Sequence, residues 1–309
     1  MTVLFVPFLA QAYTGITIVV SAQTQTNQEF IDTIKTELTG AKSANLRVKV
    51  VELQESDKLV VAENSELVIA LGVKALEAAS KLKFTTPVLG VFTPMPTFNS
   101  LLLKSKRELG NFSAIVLDQP YSRQMLLIKN VLPESKKIGI LLGPTSSQFA
   151  DQINEEAEEI GFSVAEENVF NETDLIVKLK TVLETSDALL AVPDPMIYTR
   201  ETAQPILLTS YRHQKPIFGY SQSYVRAGAL AAVYTTSKQL AQQAAEIALK
   251  SQQAPSLLPP PQAPKYFSII MNHQVARSLN ITLKSEEEIY KKVLEADNAE
   301  AKVNEEFRH

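Results

Sequence analysis

The run GYSQSY at 219–224 places two phenols, two serines and an amide directly after the apolar stretch PIF. A turn needs Gly, Pro, Asn or Asp for its backbone angles, not a row of hydrogen-bonding side chains. Tyr220, Ser221 and Tyr224 are therefore candidates for touching a ligand. A second stretch, VPDPMIYTR at 192–200, holds Asp194 between two prolines, where a carboxylate could pair with a ligand cation. It also supplies Tyr198, and three tyrosines in two such stretches could wall an apolar or aromatic body and hydrogen-bond through their hydroxyls. A third stretch, GPTSSQ at 143–148, sets Thr145, Ser146 and Ser147 where a helix is expected to begin. Free N–H groups and the positive dipole end there suit a carboxylate or another anion. Each feature has an ordinary alternative: Ser and Thr cap helices, Asp caps or turns, and tyrosines fill core edges.

These groups suit binding better than catalysis. Asp194 is the single acid in the candidate loops, so no carboxylate pair is available for acid–base work, and the chain shows no G-x-S-x-G elbow, P-loop or G-x-G-x-x-G after a strand. There is no Cys, which removes disulfides, thiolate chemistry and a lipid-anchored Cys. The three His, at 213, 273 and 309, lack metal-ligand spacing. No enzyme activity, cofactor or metal is expected.

The bulk composition narrows the class further. With 309 residues, 45% hydrophobic and 21% charged, the chain can build one large domain or two ordinary ones. A net charge of −4 without a basic patch argues against a nucleic-acid partner. No stretch reaches the 18 or so apolar residues of a membrane span. The opening MTVLFVPFLAQA ends in a small-x-small pattern, so residues 1–12 are expected to be a signal-peptide remnant of an exported, periplasmic protein that is not lipid-anchored.

The elements that must position these side chains follow from hydropathy. Short β-branched runs alternate with helix-length amphipathic segments: GITIVVS, LRVKVVEL, ELVIALG, PVLGVF and SAIVL in a first series. KKIGILLG, FSVAEENVF, DALLAV, PIFGY and AGALAAVYT follow in a second. Such alternation implies parallel strands joined by right-handed crossovers, with helices on both faces of each sheet. Ligands in such sheets bind at the carboxyl ends of the strands. In the first series those ends are SAQTQT with Gln23 and Thr24, GVKAL with Gly72 and Val73, and FTPMPTF with Thr93 and Pro94. The Pro-rich 251–264 cannot be regular helix or central strand and is expected to lie as an extended surface strap.

The run DALLAVPDPMIYTRETAQPILLTSYRHQKPIFGYSQSYVRAGALAAVYTTSKQLAQQAAEIA resembles the ABC-transporter substrate-binding protein family with tryptophan- and tyrosine-binding members. DQPYSRQMLLIKNVLPESKKIGILLGPTSSQFADQ and YFSIIMNHQVARSLNITL are similar to the same family's crossover helix, following strand and closing segment. Two family features differ here: the first loop lacks H-P-x-L-D, and GVKA stands where T-x-A is usual. The resemblance covers roughly 14–284 and implies a type I periplasmic-binding fold of two α/β lobes, three crossovers and a ligand held between them.

On this reading, 13–118 with 237–265 form one lobe and 119–236 with 266–284 the other, followed by a charged helical tail at 285–309. The function implied is the periplasmic solute-binding component of an ABC import system, closing by a hinge on a small molecule. An amino acid or related zwitterion fits the candidate groups. The partner would be an inner-membrane permease, and the chain would be a monomer. The alternative is a periplasmic sensing module that signals to a membrane partner.

Overall fold

The computed structural model describes residues 15–40, 47–53, 65–83, 85–253 and 257–306. The expected signal-peptide remnant at 1–12 lies outside them. In chain order the elements begin β1 (Gly15–Val20), α1 (Gln25–Gly40), β2 (Arg47–Glu52), β3 (Ser65–Leu71), α2 (Val73–Ser80), β4 (Val88–Thr93), α3 (Met95–Lys104) and β5 (Phe112–Val116). Next come α4 (Tyr121–Val131), β6 (Lys137–Leu142), α5 (Ala150–Ile160), β7 (Ser163–Asn168), α6 (Leu175–Thr185), β8 (Ala188–Leu190), α7 (Arg200–Arg212) and β9 (Ile217–Gly219). The rest are α8 (Gln222–Ala227), β10 (Ala231–Tyr234), α9 (Ser237–Gln253), β11 (Ser268–Met271), α10 (His273–Ser278) and α11 (Glu286–Glu306).

The chain divides into two compact units. The first holds the described residues up to Asp118 together with Thr236–Tyr266, and the second holds Gln119–Thr235 and the chain from Phe267 onward. The sheet of the first unit is five-stranded, ordered β2-β1-β3-β4-β5, and all its pairings are parallel. Its central strands are apolar without alternation because helices cover both faces. Phe30, Ile34 and Leu38 of α1 and the alanines of α9 pack on one face. Ala75, Leu76 and Ala79 of α2 and Phe98 of α3 pack on the other. The edge strand β2, RVKVVE, keeps charged residues on its open side. Residues 251–253, expected in the Pro-rich strap, are instead the end of α9, while Gln262 of the strap pairs with β5 at the other edge, its N–H on the Ala114 carbonyl at 2.9 Å and the Val116 N–H on its carbonyl at 3.0 Å. Prolines suit this place, because an edge cover needs fewer N–H donors than a central strand.

The second sheet is six-stranded, ordered β11-β10-β9-β8-β6-β7. One correction belongs here: β11 runs antiparallel to β10, so this sheet is not parallel throughout. Between β10 and β11 the chain leaves for the first unit, through Thr236–Tyr266, and returns at the sheet's edge in the opposite direction. Residues from α4, α5 and α11 cover one face, with Met125, Ile128, Ile153, Ile289 and Val293 buried. The other face is covered by α6, α7 and α8, through Leu179, Leu183, Ile206 and Val225.

Candidate ligand-binding site

The loop after β6 and the loop after β8 are fastened together by Asp194. Its Oδ2 accepts the N–H groups of Thr145 at 3.0 Å and Ser146 at 2.9 Å, and the Ser146 hydroxyl at 2.9 Å. Its Oδ1 accepts the N–H of Met196 at 2.9 Å. The Ser146 hydroxyl in turn accepts the Gly143 N–H at 2.8 Å. Asp194 is 3% exposed and Ser146 fully buried. The anion corner expected of Thr145–Ser147 thus exists, but the chain's own carboxylate fills it, and Asp194 is engaged with backbone donors instead of standing free for a ligand cation. Ser147 is exposed and opens a single 3-10 turn at Ser147–Phe149 ahead of α5, so the expected helix from Ser146 begins at Ala150.

Tyr198, Tyr220 and Tyr224 do come together. The rings of Tyr220 and Tyr224 stack with centroids 5.5 Å apart, and Tyr198 stands edge-on to each at 5.9 Å. Tyr224 is core, and the hydroxyls of Tyr198 and Tyr224 are buried without a hydrogen-bond partner among the described residues. Burial pushes all three phenols up, and at Tyr198 the neighbouring tyrosines and Asp194 add to it. All three are therefore neutral donors at physiological pH. Tyr198 and Tyr220 are both half-buried as residues. Ser221 caps α8, taking the Tyr224 N–H at 3.2 Å, and lies 3.0 Å from the exposed Ser223 hydroxyl. The polar run is thus a cap and first turn of a six-residue helix, not an open loop. Its shortness hides it from any periodicity reading.

In the first unit, Thr24 caps α1 through the Asn27 N–H at 3.1 Å, and the exposed Gln23 amide donates to Glu52 at 3.1 Å. Gly72 opens α2 at φ 88°, a conformation that L side chains rarely adopt, with open space where a Cβ would stand. Gly72 offers no side chain to cap that helix, so the first N–H groups of α2 have no side-chain cap among the described residues. At the end of β4, Phe92 takes φ 58° where the register with β5 shifts. Such bulges re-aim the next side chain, here Thr93, which is fully buried with a hydroxyl that has no partner among the described residues. Pro94 then opens α3. The expected loop 92–98 is mostly this helix, since Pro96 is tolerated in a first turn.

One acid escaped the sequence reading. Asp118 follows β5 directly, and its Oδ2 accepts the Met95 N–H, the first of α3, at 2.7 Å. It is half-buried, and burial raises its carboxyl above the usual range despite that hydrogen bond. No neighbouring cation among the described residues offsets the burial. The strand-end rule applied to SAIVL would have found it.

Two sheet-and-helix units with polar strand ends define the class: a type I periplasmic-binding fold. The sequence model of the ABC transporter substrate binding proteins matches residues 12–296, and the chain belongs to that family. Its members are non-catalytic, and this chain is accordingly a substrate-binding component of an ABC transporter that takes a small ligand. None of the curated proteins matches the sequence. Among solved structures, an ABC domain in complex with L-Trp from Streptococcus pneumoniae is 19% identical, covering 90% of this chain and 98% of that one at a TM-score of 0.59. A ligand-free, open substrate-binding protein with adhesive properties from Clostridium difficile is 18% identical over 88% of this chain and 96% of its own, at 0.70. A periplasmic ribose ABC transporter from Conexibacter woesei is 13% identical, with the same coverages and a TM-score of 0.53. These likenesses carry the fold. Among the described residues no helix is long and apolar enough to cross a membrane.

Proposed function

We propose that this protein collects a small zwitterionic solute with an apolar or aromatic body in the periplasm. Its two units close as a hinge, and it hands the solute to its permease. The observation that carries the ligand class is Asp118: a half-buried carboxylate at a strand end, with a backbone N–H as partner and no cation beside it among the described residues. A ligand ammonium would supply the missing charge. The uncapped N–H groups of α2 would take a carboxylate, and Tyr220, Gln222 and Ser223 would line the other side with one ring and adjustable polar groups. Closure would strip water from these groups and strengthen each contact. Apolar burial would add about 25 cal/mol per Å2. A solved relative described as ligand-free and open, and another holding L-Trp, support the reading.

A thermal-shift screen of L-tryptophan, L-tyrosine, other amino acids, small carboxylates, nucleosides and sugars tests it. A true solute at 100 times its Kd adds about 2.7 kcal/mol of stability. A shift with sugars or nucleosides and none with amino acids overturns the zwitterion assignment. Recovery of the protein with cytoplasmic markers on cell fractionation overturns the export part.

A further inference from the structure

The chain passes between the units after Asp118, after Thr235 and after Tyr266. The second unit's residues at those passages are Gln119, Thr235 and Phe267, and Arg123 gathers them. Its Nη1 donates to Gln119 Oε1 at 2.8 Å, and the Gln119 amide donates onward to the Thr235 hydroxyl at 2.7 Å. Its guanidinium carbon stands 4.4 Å from the centroid of the Phe267 ring. From α11, Asp297 accepts Nε at 2.9 Å and Nη2 at 2.8 Å, a two-pronged pair. Arg123, Gln119 and Phe267 are all at least nine-tenths buried.

An arginine that only anchored α11 would need Asp297 and a packing surface. This one also joins all three connecting residues, two of them directly and Thr235 through Gln119. A buried guanidinium holds its place when its charge and fork are matched, so Asp297 dictates where Arg123 sits. Hinge motion is absorbed by a few residues at such connections. We propose that Arg123 is a positioning residue of the hinge. Held by Asp297, it lets the C-terminal helix set the resting balance between open and closed arrangements, and so the affinity for solute, without touching the solute. This inference rests on the closing-hinge reading above.

The absence of Cys allows a dye pair to be placed by Lys81→Cys in the first unit and Lys180→Cys in the second, both exposed positions of the full chain. Single-molecule distances are then recorded without solute and with the amino-acid panel. The otherwise unaltered protein shows two distances whose ratio moves with a solute; one fixed distance throughout sinks the hinge reading itself. Asp297→Asn and Arg123→Lys change the solute-free ratio about tenfold, within the usual range of coupling between separated groups. Lys291→Met, on the exposed side of α11, leaves it unchanged. Should Asp297→Asn fail to fold, Gln119→Ala breaks the link to the second passage and carries the same expectation. Folded variants with an unaltered ratio, in a protein that does switch, overturn the role of Arg123.

Discussion

A Cβ on residue 143 would stand 2.5 Å from Asp194 Oδ1 and 2.6 Å from its Cγ. The latch between the β6 and β8 loops therefore needs glycine there for close approach, not for backbone angles. Gly143→Ala is expected to push the carboxylate off its N–H donors and cost about 2–3 kcal/mol, the sum of overpacking and unmade hydrogen bonds. Urea unfolding would show a lower midpoint at an unchanged slope. Asp118 makes the opposite prediction. Its folded carboxyl is raised above the unfolded value, so the stability it contributes is present below the unfolded value near 3.8 and is lost as pH rises through the folded one. Asp118→Asn, which keeps an acceptor for Met95, should leave the protein at least as stable near neutral pH and flatten the acid limb of its stability curve. It should also weaken binding of an ammonium-bearing solute at least tenfold, by about 1.4 kcal/mol or more. Calorimetric titration beside unfolding curves separates these effects, and a loss of stability with unchanged affinity would refute the assignment.

At the scale of elements, α2 carries the uncapped N–H row at one end and is held by Arg107 at the other. The guanidinium, 5% exposed, donates to the carbonyls of Thr86 at 2.7 Å, Lys83 at 3.0 Å, Leu82 at 3.2 Å and Ser80 at 3.3 Å. The cation satisfies the last carbonyl of α2, at its negative end, together with three carbonyls of the segment that follows, and so ties the end of the helix to the chain leading into β4. Arg107→Met is expected to cost about 2–4 kcal/mol, because buried carbonyls lose their donor. Arg107→Lys should restore only a part, since an ammonium lacks the planar fork. Thermal unfolding of the three proteins checks the order. Most strands and long helices were legible from hydropathy, for packing repeats at 2 or 3.6 residues leave a mark in any window. The helices α3 and α8 were not, because Pro96 and the aromatic run 220–224 read as turn or ligand chemistry where they open short helices.

At the scale of the molecule, each unit has its own sheet and its own buried clusters. The charged segment beginning at Ser285 is part of the second unit, with Ile289 and Val293 fully buried in it. Val293→Asp buries an unpaired charge there and is expected to cost at least about 3 kcal/mol. Amide exchange should quicken across β6–β11 and stay unchanged across β1–β5; equal quickening in both sheets would show that the units do not unfold separately.

Alternation of strands and helices, the lack of any thiol and the polar strand ends are written locally, in residue order, and the chain alone determined them. Partners are not local. Beside its near neighbour Met196, the N–H groups that engage Asp194 lie 48 and 49 residues away, and the aspartate that holds Arg123 is 174 residues away. Only the folded chain decided that Asp194 is a fastening and that Asp118 has no cation beside it among the described residues. A carboxylate's role depends on which donors tertiary contact brings to it, and no spacing in the sequence records that.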